Sequence, residues 1–276
     1  MSRSFLFDPL FWQETRVQAW RWFLHPKRRP VVVISGLFQP IIWMTLFVLV
    51  FQDSMKGVMG EGIGYLEFVT PGALLFTAFN ASLNAGVPVL FDREIGFLDR
   101  LRAAPLRDRF SIVLSSAIHI AVITLAQCLV IVAGAFVLGA HFRGGAAGAL
   151  VGLAALLLVI IGFTSISLAL AFQFRRHFEM LAVIMIVTLP LIFLSSAFAP
   201  IERLPAVLRN LVVLNPVTMA IEPLRMVFST PDWSLTRPLV ETAVGGLHAG
   251  HFFGGLLLFV LGSGWWSRRV LSRKLA

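Results

Sequence analysis

Charged residues divide the chain into six long apolar runs: Pro30–Gln52, Phe68–Phe91, Phe110–Phe142, Gly144–Phe174, Met180–Ile201 and Thr242–Ser267. Their lengths are 23, 24, 33, 31, 22 and 26 residues, and a helix needs about 20 to cross the hydrocarbon layer. Each run therefore predicts a transmembrane helix. The apolar character is continuous, whereas a barrel strand alternates over about 10 positions, so a helical bundle is expected and a barrel is not. Two shorter stretches keep a helical period without the length to span. Leu10–His25 reads as an amphipathic helix lying in the interface, and Phe91, Ile95, Leu98 and Leu101 form a narrow apolar stripe in a charged segment that Pro105 ends. After the fifth run, Pro190, Pro200, Pro205, Pro216 and Pro223 punctuate the chain. Asn210–Ile221 is a charge-free run of 12 residues, too short to span, which predicts a re-entrant or interfacial helix.

The expected fold is an all-α integral membrane protein with six transmembrane helices. Residues 1–30 form an N-terminal segment with the interfacial helix, 31–267 the membrane domain and 268–276 a basic tail. Met1–Pro30 is broken by Asp8, Glu14, Arg16, Arg21, Lys27, Arg28 and Arg29 and has no early apolar core, so no cleavable signal is expected. Composition agrees: 58% of the 276 residues are hydrophobic and 13% charged, and mean hydropathy is +0.85. These values exclude a water-soluble globule and a disordered chain.

The net charge of +9 would suggest nucleic acid in a soluble protein. Sorting the basic residues by side of the membrane removes that reading. The N-terminal segment, the loop after the second run, Arg175 with Arg176, and the C-terminal tail carry 17 of the 23 Lys and Arg. The 14 acids divide seven and seven. The positive-inside rule then puts the basic face and both termini in the cytoplasm. Trp12, Trp20, Trp22, Trp265 and Trp266 lie where aromatic rings anchor helices at headgroup level.

Candidate chemistry is sparse. His119, about ten residues into the third run, is either a proton relay or a hydrogen-bonded structural residue, and with no carboxylate in any run the structural role is preferred. His248 and His251 share a helix face, yet without Cys or a carboxylate beside them no metal site is expected. The single Cys128 reads as a packing residue. No GxxxxGK[ST] loop exists, so any ATP and Mg would be bound by another chain, and this chain is expected to hold no cofactor. Gly144, Gly148, Gly152 and Gly246, Gly250, Gly254 form two ladders at a spacing of four, which lets a backbone approach one helix face. The stripe around Asp92–Arg109 has two readings: a cytoplasmic handle for a motor protein, or a helix resting on headgroups. The proline-rich segment around Glu222, with Arg225 beside it, is a candidate outer gate.

The ordered pieces ETRVQAWRWFLHPKRRP, FQPIIWMTLFVLVF, YLEFVTPGALL, DREIGFLDRLRAAPL, LPLIFLSSAFAPIERLP and LNPVTMAIEPLR cover nearly the whole chain. In them the sequence resembles the membrane-spanning permease subunits of type-2 ABC exporters, in the branch of daunorubicin-resistance and nodulation or polysaccharide-export permeases. The resemblance implies a six-helix permease in a bacterial plasma membrane, paired with a second permease chain and with ATP-binding subunits. It implies a coupling helix carrying Asp92, Arg93, Glu94, Gly96, Leu98, Arg100 and Leu101. It also implies outer re-entrant helices carrying Pro200, Pro205, Asn215, Pro216 and Glu222. The expected function is export of an amphiphilic drug, lipid-like molecule or polysaccharide, with no covalent chemistry in this chain. Two rival readings are an ion-coupled secondary carrier, against which the missing intramembrane carboxylates count, and a non-transporting membrane scaffold.

Overall fold

The computed structural model describes residues 9–28, 30–55, 64–96, 110–197, 201, 204–242 and 245–275. Its elements, in chain order, are helices α1 (Pro9–Arg28), α2 (Pro30–Met55), α3 (Tyr65–Leu83), α4 (Val87–Glu94), α5 (Phe110–Val137), α6 (Gly145–Gln173), α7 (His177–Phe193), α8 (Ala206–Val213) and α9 (Pro216–Ser229), then strands β1 (Pro238–Thr242) and β2 (Gly245–His248), then helix α10 (Ala249–Leu275). The chain is mostly helical, as the apolar runs predict. Among the described residues, four helical stretches are long and apolar enough to cross a bilayer, and a fifth if α8 and α9, which meet at 86°, count as one span. The described apolar stretch Gly36–Phe51 of α2, and α7 with 17 residues, are shorter.

Four of the predicted runs end or break differently, each for a local reason; the third stops at Val137 and not at Phe142, just before Gly139 at φ +96°. The second run is two helices, because Pro88 at the start of α4 has no N–H to continue the ladder. Ser167 of α6 bridges the break: its hydroxyl accepts the Gly86 N–H at 2.8 Å and donates to the Leu83 carbonyl at 2.5 Å. A side chain at Gly86 would meet the Ser167 carbonyl at 2.3 Å, so only glycine allows this approach. The fifth run stops at Phe193 and not at Ile201, where Leu194–Ala197 turn and the Ser195 hydroxyl bonds back to the Ile192 carbonyl at 2.6 Å. The sixth run does not begin as helix at Thr242: β1 and β2 form an antiparallel hairpin, with Gly245 at φ +123°. Helix starts only at Ala249.

Helices α3, α6 and α9 form the centre, with α10 laid along α6 and α2 and α5 along α3. Phe79 meets Phe163 edge-on at 4.7 Å, and Phe163 meets Phe259 of α10 at 4.9 Å. Helix association in lipid gains little from excluding water, so close fit of small and aromatic residues has to hold such a centre together. α1 packs one face, Phe11, Thr15, Ala19 and Trp22, into the bundle, chiefly along α5, while Leu10, Trp12, Val17 and Trp20 stay exposed. Trp22 reaches furthest, into a cluster of Val89, Val113, Leu168, Phe172 and Leu271 drawn from four other helices.

Candidate functional site

The last turn of α4, at the basic end of the bundle, carries three consecutive charges that each grip a different element. The Asp92 carboxylate accepts a hydrogen bond from the Arg21 guanidinium of α1 at 2.9 Å. Arg93 donates to the Phe174 carbonyl, at the C-terminal end of α6. Glu94 accepts the His177 backbone N–H at 2.5 Å and pairs with the His177 ring Nδ1 at 2.6 Å, at the first residue of α7. The chemistry of helix ends explains the last two contacts. A helix C-terminus leaves carbonyls unsatisfied and attracts a cation, and an N-terminus leaves N–H groups and attracts an anion. Arg176, the N-cap of α7, makes no side-chain cap bond, so Glu94 caps α7 from another helix. Hydrogen bonding from the His177 side chain holds the Glu94 carboxyl below its ordinary range, against an opposing effect of burial.

The predicted stripe does not continue as one helix through this site. α4 ends at Glu94, and Gly96 takes φ +72° while its N–H bonds to the Arg93 carbonyl at 3.1 Å, a glycine stop at the helix C-terminus. Phe91 and Ile95 are exposed beside it. Leu98, Arg100 and Leu101 lie outside the described residues. The partners Arg21, Phe174 and His177 were not identified from sequence. The available signal was the adjacent pair Arg93–Glu94, of opposite charge, facing the short link between two predicted spans.

At the opposite end, Asn215 joins α7 to α9. Its Nδ2 donates to the Leu191 and Leu194 carbonyls at 2.6 and 2.7 Å, while its Oδ1 accepts the Val217 N–H at 2.9 Å. With Pro216 at the first helical position, this is a strong start signal for α9. The Thr218 hydroxyl accepts the Ser196 N–H at 3.3 Å. Glu222 and Arg225 form an ion pair of 2.8 Å with side chains 8% and 11% exposed. Arg225 also donates to the Ser196 carbonyl at 2.7 Å and covers the Phe68 ring at 3.9 Å. Pro205 is the N-cap of α8, and Pro200 lies outside the described residues.

A second buried carboxylate was read from the sequence only as the boundary of a run. Glu67, 5% exposed in the first turn of α3, accepts the His141 N–H at 3.2 Å and pairs with Arg143 at 3.5 Å. It ties the α5–α6 connection to α3.

The two glycine ladders separate. A methyl group at Gly144 would lie 2.3 Å from the Val227 carbonyl of α9, at Gly148 3.2 Å from Trp233 and Val227, and at Gly152 2.7 Å from Leu224. Gly246 lies in β2, so it cannot share a helix face with Gly250 and Gly254, at which an added methyl group meets nothing within 4 Å. His119 is buried between Trp22, stacked at 6.0 Å, and the edge of Phe23 at 4.9 Å. His248 and His251 stack at 5.5 Å but do not share a helix face, because His248 ends strand β2 and His251 lies in α10.

The family model for ABC-2 type transporters matches residues 13–229. A putative transport permease ycf38 of Cyanophora paradoxa is 40% identical over 251 residues, covering 91% of this chain and 86% of that protein. The protein of the same name from Porphyra purpurea is 37% identical over 248 residues, 90% and 84% of the two chains. The daunorubicin resistance ABC transporter permease protein DrrB1 of Streptomyces coeruleorubidus is 27% identical over 208 residues, covering 75% and 71%.

Proposed function

Given that the chain belongs to the ABC-2 type transporter family and is an ABC exporter permease subunit, we propose that a separate ATP-binding subunit drives it from the basic face. In this reading six helices cross a bacterial plasma membrane, with both termini, residues 1–30 and the tail 268–276, in the cytoplasm, and 31–267 as the membrane domain. ATP and Mg belong to the partner, and a second permease chain completes the translocation path. The segment from Asp92 through Arg93, Glu94, Gly96, Leu98, Arg100 and Leu101 is the coupling element. The bent pair α8–α9, with Pro200, Pro205, Asn215, Pro216 and Glu222, is the outer gate.

The observation that carries this reading is the triple contact of Asp92, Arg93 and Glu94 with α1, α6 and α7. Any displacement of the α4 end by a docked subunit is felt at once by three other helices. The apolar runs and 25 Phe suit an amphiphilic cargo. A relative from Mycobacterium tuberculosis named a probable doxorubicin resistance ABC transporter permease protein makes doxorubicin a sensible first probe.

Replacing both Leu98 and Leu101 with Asp tests the coupling element. The double variant should reach the membrane and leave ATP hydrolysis running while doxorubicin efflux is lost, and wild-type efflux would refute the assignment. Efflux that persists without the ATP-binding subunit and collapses with an uncoupler would instead establish the ion-coupled carrier. A complex whose ATPase no substrate stimulates would favour the scaffold.

A further inference from the structure

After His177 and Glu179 in its first turn, helix α7 is almost wholly apolar, yet of its 17 residues only Met180, Ile184 and Ile192 are buried in this chain. Phe178, Met185, Ile186, Leu189 and Phe193 are exposed, and its packing against α3, α4 and α6 is sparse. Its ends are treated differently. The first residue is capped by Glu94 through both carboxylate oxygens. Its C-terminal carbonyls at Leu191 and Leu194 are held by Asn215, and the turn that follows is held on both sides of Ser196, by Thr218 and by Arg225. Among the described residues the helix is thus tied at both termini by charged or amide hydrogen bonds and held only loosely between them.

We infer that α7 works as a transmission rod, in which Glu94 is the positioning residue that passes displacement of the α4 end along α7 to the Asn215–Arg225 junction. The argument is one of relative stiffness. An α-helix is rigid along its axis because each turn is bonded to the next; in α7 Pro190 removes one such bond in the last turn, where Asn215 holds the neighbouring Leu191 and Leu194 carbonyls, and loose lateral packing opposes axial or tilting motion less than the interdigitated α6–α9 seam would. The hydrogen bonds at each end are directional, so they convert a push at one terminus into a movement of the group bonded at the other. α9 is unsuited to this role, since Val217 to Ser229 is almost entirely buried among α3, α6 and α10. It receives the rod's displacement at Asn215, Thr218 and Arg225, through which the motion enters the α8–α9 pair.

This inference rests on the exporter reading, and the experiment separates the two. The probe is amide hydrogen exchange in the permease–ATPase complex, in nanodiscs, with and without Mg-ATP and vanadate. In the wild type, nucleotide should change exchange at residues 191–197. Glu94→Ala should abolish that change, read per assembled, ATP-hydrolysing complex. Export per ATP should fall about 5-fold or more, the low end for coupling between distant sites. Glu94→Gln keeps an acceptor for the His177 N–H and should restore most of the response, and His177→Ala, which keeps the N–H and loses the ring, should be intermediate. A nucleotide response at 191–197 that survives Glu94→Ala overturns the rod. So does a wild-type complex that hydrolyses ATP with no response there, and both results leave the permease reading standing. Failure to obtain any ATP-hydrolysing complex overturns the exporter reading and the rod with it.

Discussion

Two glycine ladders with the same spacing have opposite fates. Gly144, Gly148 and Gly152 bring α6 against α9 so closely that added methyl groups would collide with Val227, Trp233 or Leu224. The ladder that should open the last helix loses Gly246 to a strand, and a methyl group added at Gly250 or Gly254 meets nothing within 4 Å among the described residues. The packed face of α10 lies one residue away. Gly255 admits the Met219 sulfur, which would be 2.6 Å from an added methyl, and Phe259 fills the space left by Gly162, where a methyl would be 2.4 Å from its ring. A spacing of four creates a smooth face, but a seam needs a partner with matching bulk at the same height. α9 provides it with Val227 and Leu224.

The largest effect should come from what fixes α9 in that seam. Arg225→Leu leaves Glu222 buried without its cation, a loss on the order of 3–5 kcal/mol, and it also removes the bond to Ser196 and the cover of Phe68. The variant should lose most of its folded yield in detergent, measured by thermal unfolding of the purified chain. Unchanged stability would show that the seam holds α9 unaided. Gly144→Ala should be next, at about 1–3 kcal/mol for overpacking, because the obstacle is a backbone carbonyl that has no rotamer to change. If Gly144→Ala unfolds at the wild-type temperature, the seam is looser than its distances imply.

Apolar run length gave the helical membrane class directly, because the cost of unsatisfied backbone in hydrocarbon leaves few alternatives. Asn215 followed by Pro216 is a local helix-start signal that the reading of Asn210–Ile221 as one run passed over, and the structure divides that run between α8 and α9 at this point. What was not legible depended on partners distant in sequence. Ser167 bridges the α3–α4 break from 81 positions away, and His177 meets Glu94 across 83. Glu67 marked the edge of a run in the sequence, while in the fold it is a buried carboxylate shared with Arg143 and the His141 N–H. The stripe Phe91, Ile95, Leu98, Leu101 failed as one helix at a single residue, Gly96, whose left-handed conformation overrides the periodicity around it. Periodicity reports what a helix would bury if it continued, and carries no information on whether it does.

Smaller effects separate the ladders most sharply. At Gly152 the obstacle is the Leu224 side-chain tip, 2.7 Å from an added methyl, and it can turn away. Gly152→Ala should therefore cost about 1 kcal/mol or less, the low end of overpacking, and show a smaller shift in unfolding temperature than Gly144→Ala. Gly250→Ala and Gly254→Ala should be neutral or slightly stabilising in the isolated chain. Space is open around both, and alanine is favoured over glycine within a helix by about 0.5–1 kcal/mol. That outcome sets up the finest test of the second ladder, in which Gly254→Leu is examined in the assembled complex. If the open face of α10 meets only lipid, a leucine there leaves assembly and export unchanged, since it presents the same hydrocarbon to the bilayer. If another chain uses the face as α9 uses the first ladder, leucine dissociates the complex while the isolated permease keeps its stability. The face is then a second seam, completed between chains.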